Sequence, residues 1–231
     1  MMKHKCSKAR VFNSNQRIHE LKLVFQSFGN ASGRDGDKCL IKPSGVNMSK
    51  ISNEDIVSVS INNLDDTDNN YKPSSDTPTH LTLYKEFGDL GGIVHTHSLY
   101  ATAWAQAGLP IPSLGTTQAD YWEGDIPITR VLKNEEILND YENNTGLVIV
   151  EKLKEMKTHP LNCPGILVRN HGPFSWGKTV EEAVKHAELL EFIAKQTWIA
   201  LSINPNAKPI SKSLLKKHFK RKHGPNAYYG Q

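Results

Sequence analysis

The segment at residues 91–98, GGIVHTHS, constrains the fold of this chain more than any other stretch. Its apolar pair, Ile93 and Val94, is typical of a short buried strand. Side chains two residues apart on a strand point the same way, so the strand would deliver His95 and His97 to one place. The spacing predicts two metal-binding imidazoles at a strand end. A histidine pair alone is a weak signal, and ordinary core or surface histidines are the alternative.

Two further segments add potential ligands to this pair. His171 follows a second apolar stretch, residues 165–168 (GILV), and precedes a Gly-Pro turn. Asp76 lies where the sequence SSDTP predicts the start of a helix. Three imidazoles and one carboxylate form a donor set that suits zinc, with manganese, cobalt and iron as weaker alternatives.

The remaining pattern predicts alternating strands and helices. Residues 11–28 leave both helix and strand open because their apolar spacing is mixed. Thr179 and Glu182 have the spacing of a capping box at the start of the longest helix. Strands that alternate with helices predict an α/β fold in which helices cover a sheet. We expect strands at 38–41, 56–61 and 92–97, and helices at 77–87, 101–107, 145–156, 179–201 and 211–222.

Composition narrows the classes of protein that this chain can represent. A net charge of +4 over 231 residues is too small to indicate nucleic-acid binding without a localised basic face. No apolar run approaches the roughly 20 residues of a membrane-spanning helix, so we expect no membrane partner. The three scattered cysteines, an odd number, fit a reducing compartment, and we expect a cytoplasmic protein.

Three polar loops have the composition of a phosphate site. Residues 27–30, 42–45 and 74–75 combine small residues with hydroxyl groups and backbone amides, and Lys42 adds a positive charge. Each loop alone is most simply a turn. The chain has neither a P-loop nor a glycine-rich dinucleotide motif, which favours a small phosphorylated substrate over a nucleotide. The candidate substrate-binding residues are Gly29, Asn30, Lys42, Ser44, Gly45, Ser74 and Ser75.

The C-terminal region contains seven basic residues between positions 208 and 223. Leu214, Leu215 and Phe219 could form a buried stripe, which makes a packed helix with a solvated basic side a better interpretation than a nucleic-acid patch. The four tryptophans are expected in the core. They are Trp104, Trp122, Trp176 and Trp198.

Taken together, these motifs closely resemble the L-ribulose-5-phosphate 4-epimerase family, within the class II aldolase and adducin superfamily. The resemblance runs from about residue 27 to the C-terminus. The segment KPSSD and the ending YYGQ are those of the epimerase branch. The motifs that carry it are KPSG (42–45), KPSSDTPTH (72–80), GGIVHTHS (91–98), AWAQAG (103–108), GTTQADY (115–121), HGPFSWG (171–177) and RKHGPNAYYGQ (221–231).

The resemblance implies a single catalytic domain over residues 1–231, with a three-layer α/β/α arrangement around a mixed, largely antiparallel sheet. It implies acid/base roles for Asp120 and Tyr229, and a homotetramer in which Tyr229 reaches the site of a neighbouring subunit. It also implies substrate contacts from the polar loops and one zinc ion per subunit, with manganese or cobalt as substitutes. The implied zinc ligands are Asp76, His95, His97 and His171.

Four positions depart from the family pattern. Leu99 and Tyr100 replace an Arg-His pair, Gln118 replaces a histidine, and Glu123 stands at an aromatic position. The implied metal and acid/base residues are all present. The departures therefore bear on substrate preference and rate.

The implied reaction explains why such residues are needed. The hydrogen on C4 of a 2-ketopentose phosphate is not adjacent to the carbonyl group, so deprotonation gives no enolate. Cleavage of the C3–C4 bond, stabilised by a divalent metal, and its re-formation on the other face would invert C4. Two acid/base groups are then required. The alternatives are a fuculose- or rhamnulose-phosphate type of class II aldolase, a dehydratase of the same superfamily, or a non-enzymatic adducin-like interaction module.

Overall fold

The structure is a computed structural model that describes residues 5–47, 50–68, 71–223 and 227–229. Parts of the tail motif 221–231 therefore lie outside the described residues. The strands are β1 (Asn30–Asp35), β2 (Lys38–Ile41), β3 (Val57–Ser60), β4 (Gly92–His95), β5 (Gly165–Val168) and β6 (Gly172–Gly177). The helices are α1 (Lys8–Glu20), α2 (Thr77–Glu86), α3 (Leu99–Ala107), α4 (Thr116–Ala119), α5 (Asn134–Leu138), α6 (Tyr141–Glu155), α7 (Val180–Ile203) and α8 (Lys212–Lys222), with a short 3-10 helix at Pro160–Asn162.

The six strands form one sheet in the order β3-β2-β1-β4-β6-β5. All pairings between these strands are antiparallel. The predicted largely antiparallel sheet is confirmed, and among the described residues the parallel pairing is an isolated bridge between Ile128 and Leu167.

Helices cover both faces of this sheet. Ile93 on β4 belongs to a core cluster with residues of α2 and α6, whereas its neighbour Val94 belongs to a cluster with residues of α1 and α7. Adjacent residues on a strand point to opposite faces, so the two clusters lie on opposite sides of the sheet. The predicted α/β/α layering follows from this alternation. None of the helices in the described parts of the chain is long and apolar enough to span a membrane.

Local capping explains where the helices begin. The Thr179 side chain accepts a hydrogen bond from the Glu182 amide, as the capping-box spacing predicts. Ser7 caps α1 in the same way, and the ambiguous region 11–28 is helical through Glu20 and neither helix nor strand from 21 to 28. The predicted start of the 145–156 helix is wrong, because α6 begins at Tyr141, four residues earlier. The Thr77-Pro78 pair predicts Thr77 as the N-cap of α2, whereas the structure has Asp76 in that position and begins the helix at Thr77.

The expected burial of the aromatic residues is only partly correct. Trp122 and Trp176 are buried, but the Trp198 side chain on α7 is 53% exposed. On α8, Phe219 is buried whereas Leu214 is exposed, so the predicted stripe is narrower than expected. Apolar residues can recur at helical spacing along a whole face of a helix although only part of that face packs against another element. The sequence does not reveal which part is packed.

Candidate metal centre and active site

The sheet register brings three histidines together. His95 ends β4, where it pairs with Asn30 of β1 on one side and Phe174 of β6 on the other. The loop that enters β6 places His171 beside it, and His97 follows two residues after His95. One ligand atom from each imidazole lies within 4.8 Å of the others. These three histidines could hold a metal ion, as the sequence predicts.

Burial keeps these imidazoles in the form that a metal requires. Burial lowers the pKa of His95 to about 3, and it also lowers the pKa of His97 and His171. All three are therefore neutral at pH 7 and have a nitrogen lone pair to donate. Phe174 stacks on the His95 ring with a centroid separation of 4.2 Å, which restricts the orientation of the ring.

Hydrogen bonds determine which nitrogen is available on two of the rings. His95 Nδ1 lies 3.0 Å from the Pro173 carbonyl oxygen, which can only accept, so Nδ1 carries the proton and Nε2 has the lone pair. His171 Nδ1 lies 3.3 Å from the hydroxyl group of Tyr141. In both cases Nδ1 faces a hydrogen-bond partner, and Nε2 remains for a metal.

Asp76 lies in the same cavity but outside the three-histidine ligand group. It occupies the N-cap position of α2 without a side-chain hydrogen bond to the helix, and its Oδ2 accepts a hydrogen bond of 2.6 Å from the Asn30 side-chain amide. Burial opposes ionisation of this carboxyl group. The neighbouring imidazoles of His95 and His80 and the Asn30 hydrogen bond outweigh that effect and lower the pKa of Asp76. The structure therefore places the fourth implied ligand as an ionised carboxylate held by Asn30.

The three polar loops meet around one cavity of about 320 Å³. The Ser44 amide donates to the Lys72 carbonyl group (2.9 Å), and the Ser74 amide donates to the Lys42 carbonyl group (3.0 Å), so two of the loops are joined. All seven candidate substrate-binding residues line this cavity together with Asp76 and the three histidines. It is also lined by Ser27 and Phe28 of the predicted 27–30 loop, and by Tyr141 and Glu142, which the sequence motifs did not identify.

Two residues of the cavity have unusual environments. Lys42 is only 2% exposed and donates to the Ser27 carbonyl oxygen at 3.1 Å; burial lowers the pKa of its amine. Gly29 has a φ of +77°, and a Cβ atom there would lie 2.6 Å from Val24 Cγ1 and 2.8 Å from the His95 carbonyl oxygen. Only glycine satisfies both constraints, because larger residues would be strained and would clash.

Asp120 and Tyr229 lie together but not in this cavity. Asp120 follows α4, and its carboxylate accepts hydrogen bonds from Arg221 (2.9 and 2.6 Å) and His218 (3.0 Å) on α8. Burial opposes ionisation of Asp120, but these two partners hold its pKa below the ordinary value. The Arg221 guanidinium lies 4.0 Å from the centre of the Tyr229 ring. Neither Asp120 nor Tyr229 is among the described residues that line the cavity.

Motif analysis did not identify His218 or Arg221. Arg221 begins the tail motif, but no sequence signal pairs either residue with Asp120, about a hundred positions away. The contact arises because α8 packs beside α4.

Comparisons with known proteins agree with this fold. A family model described as "Class II Aldolase and Adducin N-terminal domain" matches residues 9–198. The chain therefore belongs to the class II aldolase and adducin family, as its motifs indicate.

Curated relatives define the closer relationship. The chain is 52% identical over 226 residues to "L-ribulose-5-phosphate 4-epimerase UlaF" from Salmonella paratyphi C (strain RKS4594), covering 97% of this chain and 98% of the relative. It is 51% identical to the protein of the same name from Salmonella typhi over the same shares of each chain. Within its superfamily the chain is thus an enzyme of the carbohydrate epimerase group, which confirms the prediction of an enzyme over an interaction module.

Solved structures share the fold at low sequence identity. An L-fuculose 1-phosphate aldolase superposes with a TM-score of 0.77 at 22% identity, covering 94% of this chain and 98% of that one. An L-fuculose 1-phosphate aldolase from Glaciozyma antarctica PI12 gives a TM-score of 0.73 at 15% identity, covering 95% and 82%. At these identities the likeness concerns the fold alone.

Proposed function

We propose that this chain is a zinc-dependent epimerase that interconverts L-ribulose 5-phosphate and D-xylulose 5-phosphate. The observation that carries the proposal is the joining, in one cavity, of three neutral imidazoles and three polar loops of the composition that suits phosphate. The names and the high identity of the curated relatives support the same substrate. The catalytic domain would comprise residues 1–231, and the three free buried cysteines are compatible with a cytoplasmic enzyme.

The donor set fits zinc. Imidazole nitrogens are preferred zinc ligands, and three of them leave a coordination position open for substrate. Asp76, which is ionised and within the cavity, would be the fourth ligand in the free enzyme and would give up that position when substrate binds. When bound, the ion would supply Lewis-acid stabilisation of the negative charge that develops as the C3–C4 bond breaks.

The loops would hold the phosphorylated part of the substrate. Lys42 can donate its amine protons to phosphate oxygens, and the Ser44 and Ser74 hydroxyl groups lie on the two joined loops. Cleavage of C3–C4 leaves a two-carbon aldehyde that carries this phosphate. Because the phosphate stays bound, the aldehyde can rotate and present its other face without leaving the cavity.

Proton transfer would require Asp120 and Tyr229. One group takes the proton from the C4 hydroxyl as the bond breaks, and the other returns a proton to the C4 oxygen after the bond re-forms on the opposite face. Neither residue lines the cavity of its own chain, and Tyr229 is 48% exposed. We therefore propose that both act in the cavity of an adjacent subunit of a homotetramer.

The first experiment is product analysis. Purified zinc-loaded protein is incubated with L-ribulose 5-phosphate, with and without a chelator, and products are identified by mass and chirality. Chelator-sensitive formation of D-xylulose 5-phosphate without two- and three-carbon fragments supports the epimerase. Accumulated fragments would indicate the aldolase activity instead, and no reaction would contradict the proposal.

A second experiment tests the shared site. His97→Asn subunits, which lack a metal ligand, are mixed with Tyr229→Phe subunits after each variant is shown to be inactive. If a site combines residues of two chains, hybrid tetramers contain some sites with both functional groups and recover part of the activity. Sites built from one chain would leave every hybrid inactive.

A further inference from the structure

Tyr141 lies in the cavity beside one of the three histidines, His171. It is the first residue of α6, it lines the cavity, and its hydroxyl oxygen lies 3.3 Å from His171 Nδ1. The two rings are tilted by 30° with centroids 6.1 Å apart. None of the motifs in the sequence pointed to this residue.

An imidazole that binds a metal through one nitrogen carries a proton on the other, and that proton needs an acceptor. For His95 the acceptor is the Pro173 carbonyl oxygen. For His171 the Tyr141 oxygen is in the equivalent place, at Nδ1. A phenol oxygen can accept this proton and still donate its own. Its donor proton is then directed away from His171.

Tight packing of α6 against α2 holds this oxygen in place. The Thr79 hydroxyl donates to the Glu142 carbonyl oxygen at 2.5 Å, and the Thr82 hydroxyl donates to Asn143 Oδ1 at 2.6 Å. The helices approach closely at Gly146, where a Cβ atom would lie 2.8 Å from Thr82 Cβ. The N-terminus of α6 is therefore fixed relative to α2, whose own N-cap is a residue of the same cavity.

We propose that Tyr141 is a positioning residue for the metal centre. Its phenol oxygen accepts the His171 Nδ1 proton, which holds the ring in the tautomer and orientation that present Nε2 to the ion. The inference rests on the proposed function of the three histidines as metal ligands.

Zinc affinity tests this role without any catalytic assay. The metal-free wild type and Tyr141→Phe are titrated with Zn²⁺ in competition with a chromophoric chelator at one pH. Loss of such an outer hydrogen bond typically weakens metal affinity about 10- to 100-fold, and we expect that range here. The visible spectrum of the Co²⁺ form should change as well, because the orientation of one ligand is less restricted.

Two controls separate positioning from packing. Phenylalanine keeps the ring, so the melting temperature of the metal-free protein should match the wild type. Tyr100→Phe removes a hydroxyl from another partly buried tyrosine, on α3 and outside the cavity lining, and should leave zinc affinity unchanged.

The outcomes distinguish this proposal from the proposed function. Wild-type affinity in Tyr141→Phe would overturn the positioning role, as would a loss of affinity that Tyr100→Phe shares or that accompanies an equal loss of stability without metal. Failure of the wild type to bind zinc would instead refute the metal centre itself.

Discussion

Replacement of Lys42 by methionine should weaken substrate binding while leaving the free energy of unfolding nearly unchanged. Lys42 is 2% exposed on a cavity that the phosphate would occupy, and its amine donates to the carbonyl oxygen of Ser27. Methionine has a similar length and no charge. The substitution therefore removes the cation while preserving most of the packing.

The expected loss is in substrate affinity. A buried charge-assisted contact to phosphate contributes about 2–4 kcal/mol, which corresponds to a roughly 30- to 700-fold weaker interaction. The phosphate is remote from the C3–C4 bond, so the contact is similar in the ground state and the transition state. We expect KM to rise by this factor while kcat changes little.

Stability should respond differently. Burial lowers the pKa of Lys42, with Asp76 opposing the effect, so the folded protein binds this proton less tightly than the unfolded chain does. The charged amine therefore destabilises the fold at neutral pH, and this cost disappears as the pH rises from the lowered pKa towards the ordinary value of about 10.4. Its removal offsets the lost hydrogen bond to Ser27, worth about 1 kcal/mol.

The assay combines steady-state kinetics with urea unfolding of the metal-free protein at pH 7. Lys38→Met is the matched control. Lys38 begins β2, the strand that leads into Lys42, but it is only partly buried and is not in the cavity. A KM increase below about fivefold, under 1 kcal/mol, would refute the phosphate role of Lys42. A loss of stability above about 2 kcal/mol would refute the account of its buried charge.

Three further predictions concern the same site. Asp120→Asn and Tyr229→Phe should each reduce epimerisation at least about 100-fold with zinc content unchanged, and near wild-type turnover in either would contradict the two-base proposal. Gly29→Ala should lower the free energy of unfolding by about 2–4 kcal/mol, measured in urea, because of its positive φ and the Val24 and His95 contacts; an unchanged midpoint would exclude that strain. Without metal, stability should fall as the pH drops below about 6.5, because the unfolded chain binds protons that the buried His95, with a pKa of about 3, does not; identical unfolding curves at pH 7 and 5 would disprove this.

Local patterns predicted most of the secondary structure correctly. The strand at Lys38–Ile41 and the helix that follows Thr179 are set by apolar periodicity and capping, which act between near neighbours in sequence. The prediction was incomplete where residues close in sequence do not determine where a helix begins. The α6 helix begins after Asp140, whose backbone is in the left-handed region and whose side chain makes no capping hydrogen bond, so its start departs from the usual capping geometry.

The residues of the candidate site also fall into two groups: those that short motifs predict and those that only packing brings together. His95, His97 and His171 and the polar loops belong to short motifs, and the sequence was sufficient to propose a metal site and a phosphate site. The contact between Tyr141 and His171 joins residues 30 positions apart, and that between Asp120 and Arg221 joins residues 101 positions apart. Neither pair has a spacing rule, because the helices and strands that carry them meet only through packing.

The sequence by itself determined the chemistry available to this protein: imidazoles at a strand end, small polar loops and a lysine in one of those loops. Tertiary structure alone decided which of these groups share a cavity. The sheet order places β1 and β6 on either side of β4, which brings Asn30 and His171 to His95. That order follows from burial of both faces of the sheet, a property of the whole chain that no local segment specifies.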